Sequence, residues 1–227
     1  MTSIRLLAAL VAALCVSIVA TPAIAQSARA RATANVDLAA RLQEVEHDPK
    51  LTTALLKTGR KVAAVCDNCH GESGNSPKPD VPNLAGQSPA YLLEQLRQYA
   101  NGQRPDFFME GMIKVMTSDE KVGMAMFYAK QGVIYKPTAN FTLAARGQAL
   151  YNKACTRCHD EDGLGDEKIA RIAGQQPEYL HLALQRYRTG TGARLDERMV
   201  INVKQMTQAD IDAVVAFVTS MGAMSPE

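Results

Sequence analysis

The strongest constraint on this chain is a five-residue motif that occurs twice. Cys66-Asp67-Asn68-Cys69-His70 returns as Cys155-Thr156-Arg157-Cys158-His159, 89 residues later. The correspondence runs well beyond the motif. Gly86-Gln87-Ser88-Pro89-Ala90-Tyr91-Leu92 reappears 88 residues on as Gly174-Gln175-Gln176-Pro177-Glu178-Tyr179-Leu180. At the same offset of 88, Leu96, Tyr99 and Gly102 meet Leu184, Tyr187 and Gly190. At an offset of 90, Met109 meets Met199, Met116-Thr117 meets Met206-Thr207, and Phe127 meets Phe217. Such drift means small loop insertions between fixed elements, so the chain is an internal duplication.

The repeated elements read as helices. Residues 52–65 and 143–154 lead into the two motifs with good helix formers. Pro89 and Pro177 fit a first helical turn, where a missing N–H costs nothing. Tyr91, Leu92, Gln95, Leu96 and Tyr99 then share one face at spacings of three and four. Gly102 and Gly190 are stop signals, and the last helix of each unit opens on a capping box, Thr117 with Glu120 and Thr207 with Asp210. No useful alternating strand pattern appears. The sequence predicts an all-α fold of two tandem domains, 51–135 and 136–227, with Gln131–Thr142 as linker.

Two cysteines three apart can serve a disulfide, a zinc ion, a redox dithiol or a thioether-linked haem. A histidine immediately after the second cysteine narrows the choice. Cysteines at i and i+3 lie on one side of a helical turn, where both thiols reach the two vinyl groups of one porphyrin and the histidine ligates iron. That is the attachment signature of haem c. A disulfide framework has no need of histidine at the same offset twice. A zinc site would want its cysteine pairs far closer than 89 residues, and a thioredoxin-like dithiol needs strands. Aromatics are only 5% of the chain and tryptophan is absent. A domain of roughly 85 residues with so few is marginal alone, and one covalent macrocycle per unit supplies the missing core.

Each iron then needs a group on its opposite face. Only two methionine pairs repeat in register. Met116 and Met206 directly precede the capping threonines, where an apolar residue packs under the helix start. Met109 and Met199 lie upstream, in a stretch expected to be a loop folding back across the haem. They are the chosen sixth ligands. Met112 is a rival in the first unit only, because its counterpart is Asn202. His47 and His181 have no partners in the repeat. With both axial positions filled, neither iron is open to a substrate, and a soft thioether favours the ferrous state.

The amino terminus carries an address. Met1–Arg5 is a short basic start, Leu6–Ala20 an apolar run of 15 residues, and Thr21–Ala25 a small-x-small cleavage site. The run is short for a spanning helix, which needs about 20 residues. Cys15 lies inside it after Leu14, so lipidation is not expected. Residues 1–25 thus read as a cleavable signal peptide and the mature protein as periplasmic. Without them the chain keeps 24 basic and 23 acidic residues, a balance that gives no reason to expect nucleic-acid binding. A hydrophobic share of 47% with 21% charged residues excludes extended disorder. Residues 26–50 form an N-terminal extension, in which Leu38, Leu42 and Val45 could face one side of a short helix ending at Asp48-Pro49.

On these motifs, with Asn75-Ser76-Pro77, Pro82-Asn83-Leu84-Ala85-Gly86-Gln87, and Met109 and Met199 eight residues before each capping threonine, the chain resembles the dihaem cytochrome c4 family over residues 52–224. The resemblance implies two class I cytochrome c domains packed about a pseudo-twofold axis with haem propionates facing each other. It also implies methionine as sixth ligand and electron shuttling to partners such as a membrane terminal oxidase. Pro82 matches the family proline whose carbonyl holds the proximal histidine; in the second unit Ala170 takes its place. The expected sites are Cys66, Cys69, His70 and Met109, and Cys155, Cys158, His159 and Met199. The expected function is electron transfer between redox proteins, with no substrate chemistry. A cytochrome subunit of a periplasmic dehydrogenase, or a dihaem peroxidase, is the alternative. Matured protein is predicted to keep two haems per chain through acid-acetone extraction; recovery of one haem, or of zinc, would overturn the assignment.

Overall fold

The computed structural model describes residues 37–137, 140–191 and 196–222. Residues 1–25, read as a signal peptide, lie outside them. Ten helices and no strands are present among the described residues. The first is α1 (Leu38–His47), and α2 (Pro49–His70) follows almost at once. Asp48 makes this corner: it ends α1, and its carboxylate accepts from the Lys50 and Leu51 N–H groups at the start of α2. Pro49 sits in the first turn of α2, so the boundary expected at residue 50 falls inside a helix. Leu42 and Val45 are buried in the core of the first domain, and Leu38 packs against it. Arg41 adds an ion pair from its Nε to Asp119 Oδ1 at 2.9 Å.

The rest of the first domain comprises α3 (Pro89–Ala100), α4 (Phe107–Lys114) and α5 (Ser118–Ala129). The second repeats the pattern with α6 (Phe141–Ala154), α7 (Thr156–His159), α8 (Pro177–Thr189), α9 (Glu197–Val203) and α10 (Gln208–Ser220). Both capping boxes form as expected, with Thr117–Glu120 opening α5 and Thr207–Asp210 opening α10. Each domain has its own apolar cluster, one around Leu55, Leu92, Val122 and Tyr128, the other around Tyr151, Ile211, Val214 and Val218. Tyr135 packs with the second cluster, although it lies upstream of α6.

The helix entering each motif crosses the last helix of its domain at a glycine. A Cβ on Gly59 of α2 would come within 2.0 Å of the Gly123 carbonyl oxygen in α5. A Cβ on Gly147 of α6 would come within 1.9 Å of the Ala213 carbonyl oxygen in α10. Backbone thus rests on backbone at both crossings, and the two glycines are themselves repeat mates, 88 residues apart. From this crossing the chain emerges with each histidine at the inner end of its helix. The loop beyond is then tied to the last helix by one bond per domain, Gly86 N–H to Tyr128 O and Gly174 N–H to Val218 O, both 2.9 Å.

The domains meet through those same loops, and the contacts are reciprocal. Gln87 bonds both backbone groups of Arg171, while its repeat mate Gln175 bonds both backbone groups of Asn83. Asn83 and Arg171 are themselves mates at the offset of 88. Each bond therefore has a partner in which the domains exchange roles, the mark of an isologous, twofold-related contact. Gly59→Ala and Gly147→Ala are each expected to lower the unfolding free energy by about 1–3 kcal/mol through overpacking. Gly111→Ala, where a Cβ meets nothing within 4 Å, should instead raise it by roughly 0.5–1 kcal/mol. Denaturant melts of the matured protein would separate the two effects.

Candidate functional site

In the first domain α2 runs unbroken through its motif, so Cys66, Cys69 and His70 all project from the last turns of one helix. In the second, α6 ends at Ala154 and Cys155 forms a hinge before the single turn of α7. Thr156 contributes to this break, because its hydroxyl donates back to the Asn152 carbonyl at 3.0 Å and competes with the helical ladder. Both arrangements deliver a histidine that is about nine-tenths buried.

The histidine rings are held identically. His70 Nδ1 lies 2.9 Å from the Pro82 carbonyl oxygen and His159 Nδ1 lies 2.9 Å from the Ala170 carbonyl oxygen. A carbonyl can only accept, so Nδ1 carries the proton in both rings. Nε2 is then the lone-pair nitrogen, the form in which imidazole binds a metal. Burial pushes both histidine pKa values down, which keeps the rings neutral near pH 7. The replacement of Pro82 by Ala170 leaves this bond length unchanged.

The four motif cysteines are free thiols, each half-buried. Burial pushes the Cys66 thiol up and the Cys155 thiol to about 11. Redox dithiols and zinc-ligating cysteines need the opposite, a depressed pKa that yields thiolate. Among the described residues no three His, Cys, Asp or Glu side chains converge to hold a metal ion directly. Protonated thiols beside a histidine with a free Nε2 fit the two thioether bonds and the axial ligand of a haem c. The residues present therefore suit that group.

Met109 and Met199 do not lie in loops. Each is the third residue of a short helix, α4 or α9, and each is half-buried. The cause is an aspartate cap that the repeat also carries: Asp106 Oδ1 accepts from the Met109 N–H at 2.9 Å, and Asp196 Oδ1 accepts from the Arg198 N–H at 3.0 Å. These caps are 90 residues apart, a pairing visible in the sequence once the methionines are aligned. Met112 follows Met109 by three positions on α4 and is also half-buried. Met116 is buried in the first core and Met206 packs against the second. His47 is exposed and bonds the Gln43 carbonyl, while His181 faces Asp212 at 3.6 Å.

Two features of the site escape the motif reading. Arg104 is buried, donates to Gln95 Oε1 at 2.7 Å, stacks over the Tyr99 ring at 4.4 Å, and reaches Tyr179 of the other domain at 3.3 Å. Its charge opposes protonation of His70. The sequence marks it by repetition: Arg194 lies 90 residues on, the same offset that relates Met109 to Met199. The second feature is Asp160, directly after His159, with φ 61° and ψ 172°. Its mate Gly71 has φ 79° and ψ 155°, a conformation that is essentially reserved for glycine. Tyr151 holds Asp160 there by donating its hydroxyl to the Asp160 carbonyl at 2.6 Å.

Two glycine-crossed helical domains, each presenting Cys-x-x-Cys-His with a carbonyl-anchored histidine, define a tandem c-type cytochrome carrying covalent haem. Comparison with known proteins agrees and narrows the class. The cytochrome c family model matches residues 144–222. A cytochrome c4 of Pseudomonas aeruginosa is 30% identical over 175 residues, covering 72% of this chain and 87% of that protein. The crystal structure of reduced recombinant cytochrome c4 from Pseudomonas stutzeri superposes with a TM-score of 0.68 at 27% identity, over 73% of this chain and 97% of that one. The chain belongs to the cytochrome c4 family, whose members are dihaem electron carriers. A thiosulfate dehydrogenase electron acceptor of Thiomonas intermedia is also similar, 32% identical over 141 residues, with 57% of this chain and 65% of that protein covered.

Asp160→Gly is expected to raise the stability of the matured protein by roughly 1–3 kcal/mol, the strain released by a residue at ease in this region. An unchanged unfolding midpoint would show that Asp160 is not strained.

Proposed function

We propose that the mature chain is a periplasmic carrier of single electrons with two covalent haem c groups, one per domain. Cys66 and Cys69 supply the thioethers of the first, and Cys155 and Cys158 those of the second. His70 and His159 are the proximal ligands, and Met109 and Met199 the sixth. When bound, each haem supplies an iron that cycles between the ferrous and ferric states. The observation that carries this reading is the pair of histidines with Nδ1 anchored to a carbonyl and Nε2 left for iron.

The protein's own part is to hold ligands still and keep water away. A fixed imidazole and a methionine on a capped helix change position little between the two redox states, which suits rapid exchange of an electron. Arg104, backed by Gln95 and Tyr99, places a buried cation near His70, a suitable counter-charge for haem carboxylates. Holding each iron by a histidine and a methionine would leave no position for peroxide, which favours a carrier over a peroxidase.

Partners are redox proteins that donate and accept electrons. Lys57, Arg60 and Lys61 form an exposed basic face on α2, whereas Asp160, Glu161 and Asp162 form an exposed acidic turn beside His159. Opposite local potentials at the two domains favour steering donor and acceptor to different ends. A membrane terminal oxidase is one acceptor that fits. The likeness to a thiosulfate dehydrogenase electron acceptor favours a second reading, in which a periplasmic dehydrogenase is the donor. Among the described residues no helix is long and apolar enough to cross a membrane.

Redox titration with spectra at each potential tests the assignment. Met109→Ala and Met199→Ala should each abolish the sulfur-to-iron charge-transfer band of one haem and lower that haem's potential. Met116→Ala should keep the band and cost about 2–5 kcal/mol of stability as a core truncation; Met206→Ala, at a less buried position, should cost less. Loss of the first-domain band in Met112→Ala or Met116→Ala, with Met109→Ala normal, would reassign the ligand.

A further inference from the structure

The two interface glutamines reach further than the interface. Gln175 Oε1 accepts from the Asn83 N–H at 2.6 Å, and its Nε2 donates to the Asn83 carbonyl at 3.0 Å. Gln87 Oε1 accepts from the Arg171 N–H at 2.9 Å, and its Nε2 donates to the Arg171 carbonyl at 3.0 Å. Pairing with one N–H and one C=O leaves no ambiguity in the orientation of either carboxamide. Both glutamines are only 4% exposed.

The peptide units they grip are particular ones. The Asn83 N–H belongs to the same amide group as the Pro82 carbonyl, which accepts from His70 Nδ1. The Arg171 N–H belongs to the same amide group as the Ala170 carbonyl, which accepts from His159 Nδ1. Each histidine-anchoring amide is thus bonded on one side to its own domain's imidazole and on the other to a glutamine of the opposite domain. An amide whose N–H is donated becomes a better acceptor at its oxygen, and in a buried chain these effects reinforce one another. A stronger bond at Nδ1 makes the imidazole more basic at Nε2, which favours the more highly charged state of a bound metal.

We infer that Gln87 and Gln175 are positioning residues that act across the interface, each setting the redox equilibrium of the opposite domain through the amide that anchors its histidine. This rests on the haem ligation by His70 and His159 proposed above. The structure gives the arrangement a direction that simple interface adhesion lacks: Gln175 reports to the first domain and Gln87 to the second. A domain whose own glutamine is lost keeps its own histidine–carbonyl amide polarised.

The test uses the matured full-length protein with Gln175→Leu, Gln87→Leu and Gln175→Glu. The two potentials are followed site by site by NMR, together with the Nδ1–H resonance of each proximal histidine. Gln175→Leu should raise the potential of the first-domain haem, by up to about tenfold in its redox equilibrium, which is 59 mV for one electron. It should weaken the His70 Nδ1–H bond and leave the second site unmoved; Gln87→Leu should do the mirror image. Gln175→Glu, which keeps an oxygen to accept from Asn83, should not raise the first-domain potential. Equal shifts at both haems, as domain separation would give, a shift in the substituted domain itself, or no shift at all would overturn the inference. Protein that matures without haem, or whose spectrum survives replacement of His70 and His159, would refute the ligation reading instead.

Discussion

The bond from each histidine Nδ1 to a loop carbonyl is the interaction on which the rest of the molecule turns. It fixes the tautomer, aims the ring, and requires the loop after the motif to return to a set position. That return is enforced from three sides. Gly86 and Gly174 tie the loop to the last helix of their own domain, Gln87 and Gln175 tie it to the other domain, and the turn at Gly71 or Asp160 launches it. Loosening these ties would weaken the bond at a buried imidazole, where a fully unpaired polar group costs about 1–3 kcal/mol.

The same economy explains why the domains pair through loops and not through apolar helix faces. A loop carrying a histidine anchor must be buried, and buried backbone groups need partners. Each domain supplies the partners for the other. The interface is therefore polar and buried, built from side-chain amides that pair with both groups of a backbone position. Burial keeps those bonds strong. Arg171 shows the cost of the arrangement: the residue is 3% exposed, its guanidinium donates to the Ala85 and Ala173 carbonyls, and burial pushes its pKa down to about 10, still charged at neutral pH.

The duplication is not perfectly symmetric, and the departures fall where a domain's circumstances differ. The first domain carries α1 as an additional cover over α2 and α5, with Leu42 and Val45 in its core. Among the described residues the second has no such cover, and its entry helix breaks at Cys155. Asp160 stands where Gly71 stands in the first domain, held in place by Tyr151. Pro82 and Ala170 differ in backbone freedom but place their carbonyls at the same distance, because loop anchoring, and not the proline ring alone, sets the position.

Much of this was legible in the sequence. Repeat register gave the helical content, the capping boxes and two equivalent cysteine–histidine motifs, since each depends on residue type at fixed local spacing. Leu42 and Val45 could be read as a buried face because helical periodicity is local too. Other features needed the tertiary structure. The methionine stretches are short helices, because a single aspartate cap outweighs a weak loop pattern. Gly59 and Gly147 matter only because another helix crosses there, and Arg104 only because folding brings Tyr99 and Tyr179 to it. The cross-domain grip of Gln87 and Gln175 is the clearest case. Their repetition is plain in the sequence, but the amide that each one polarises lies in the other half of the chain. Long-range pairing of that kind is set by how two folded surfaces meet, and no local pattern encodes it.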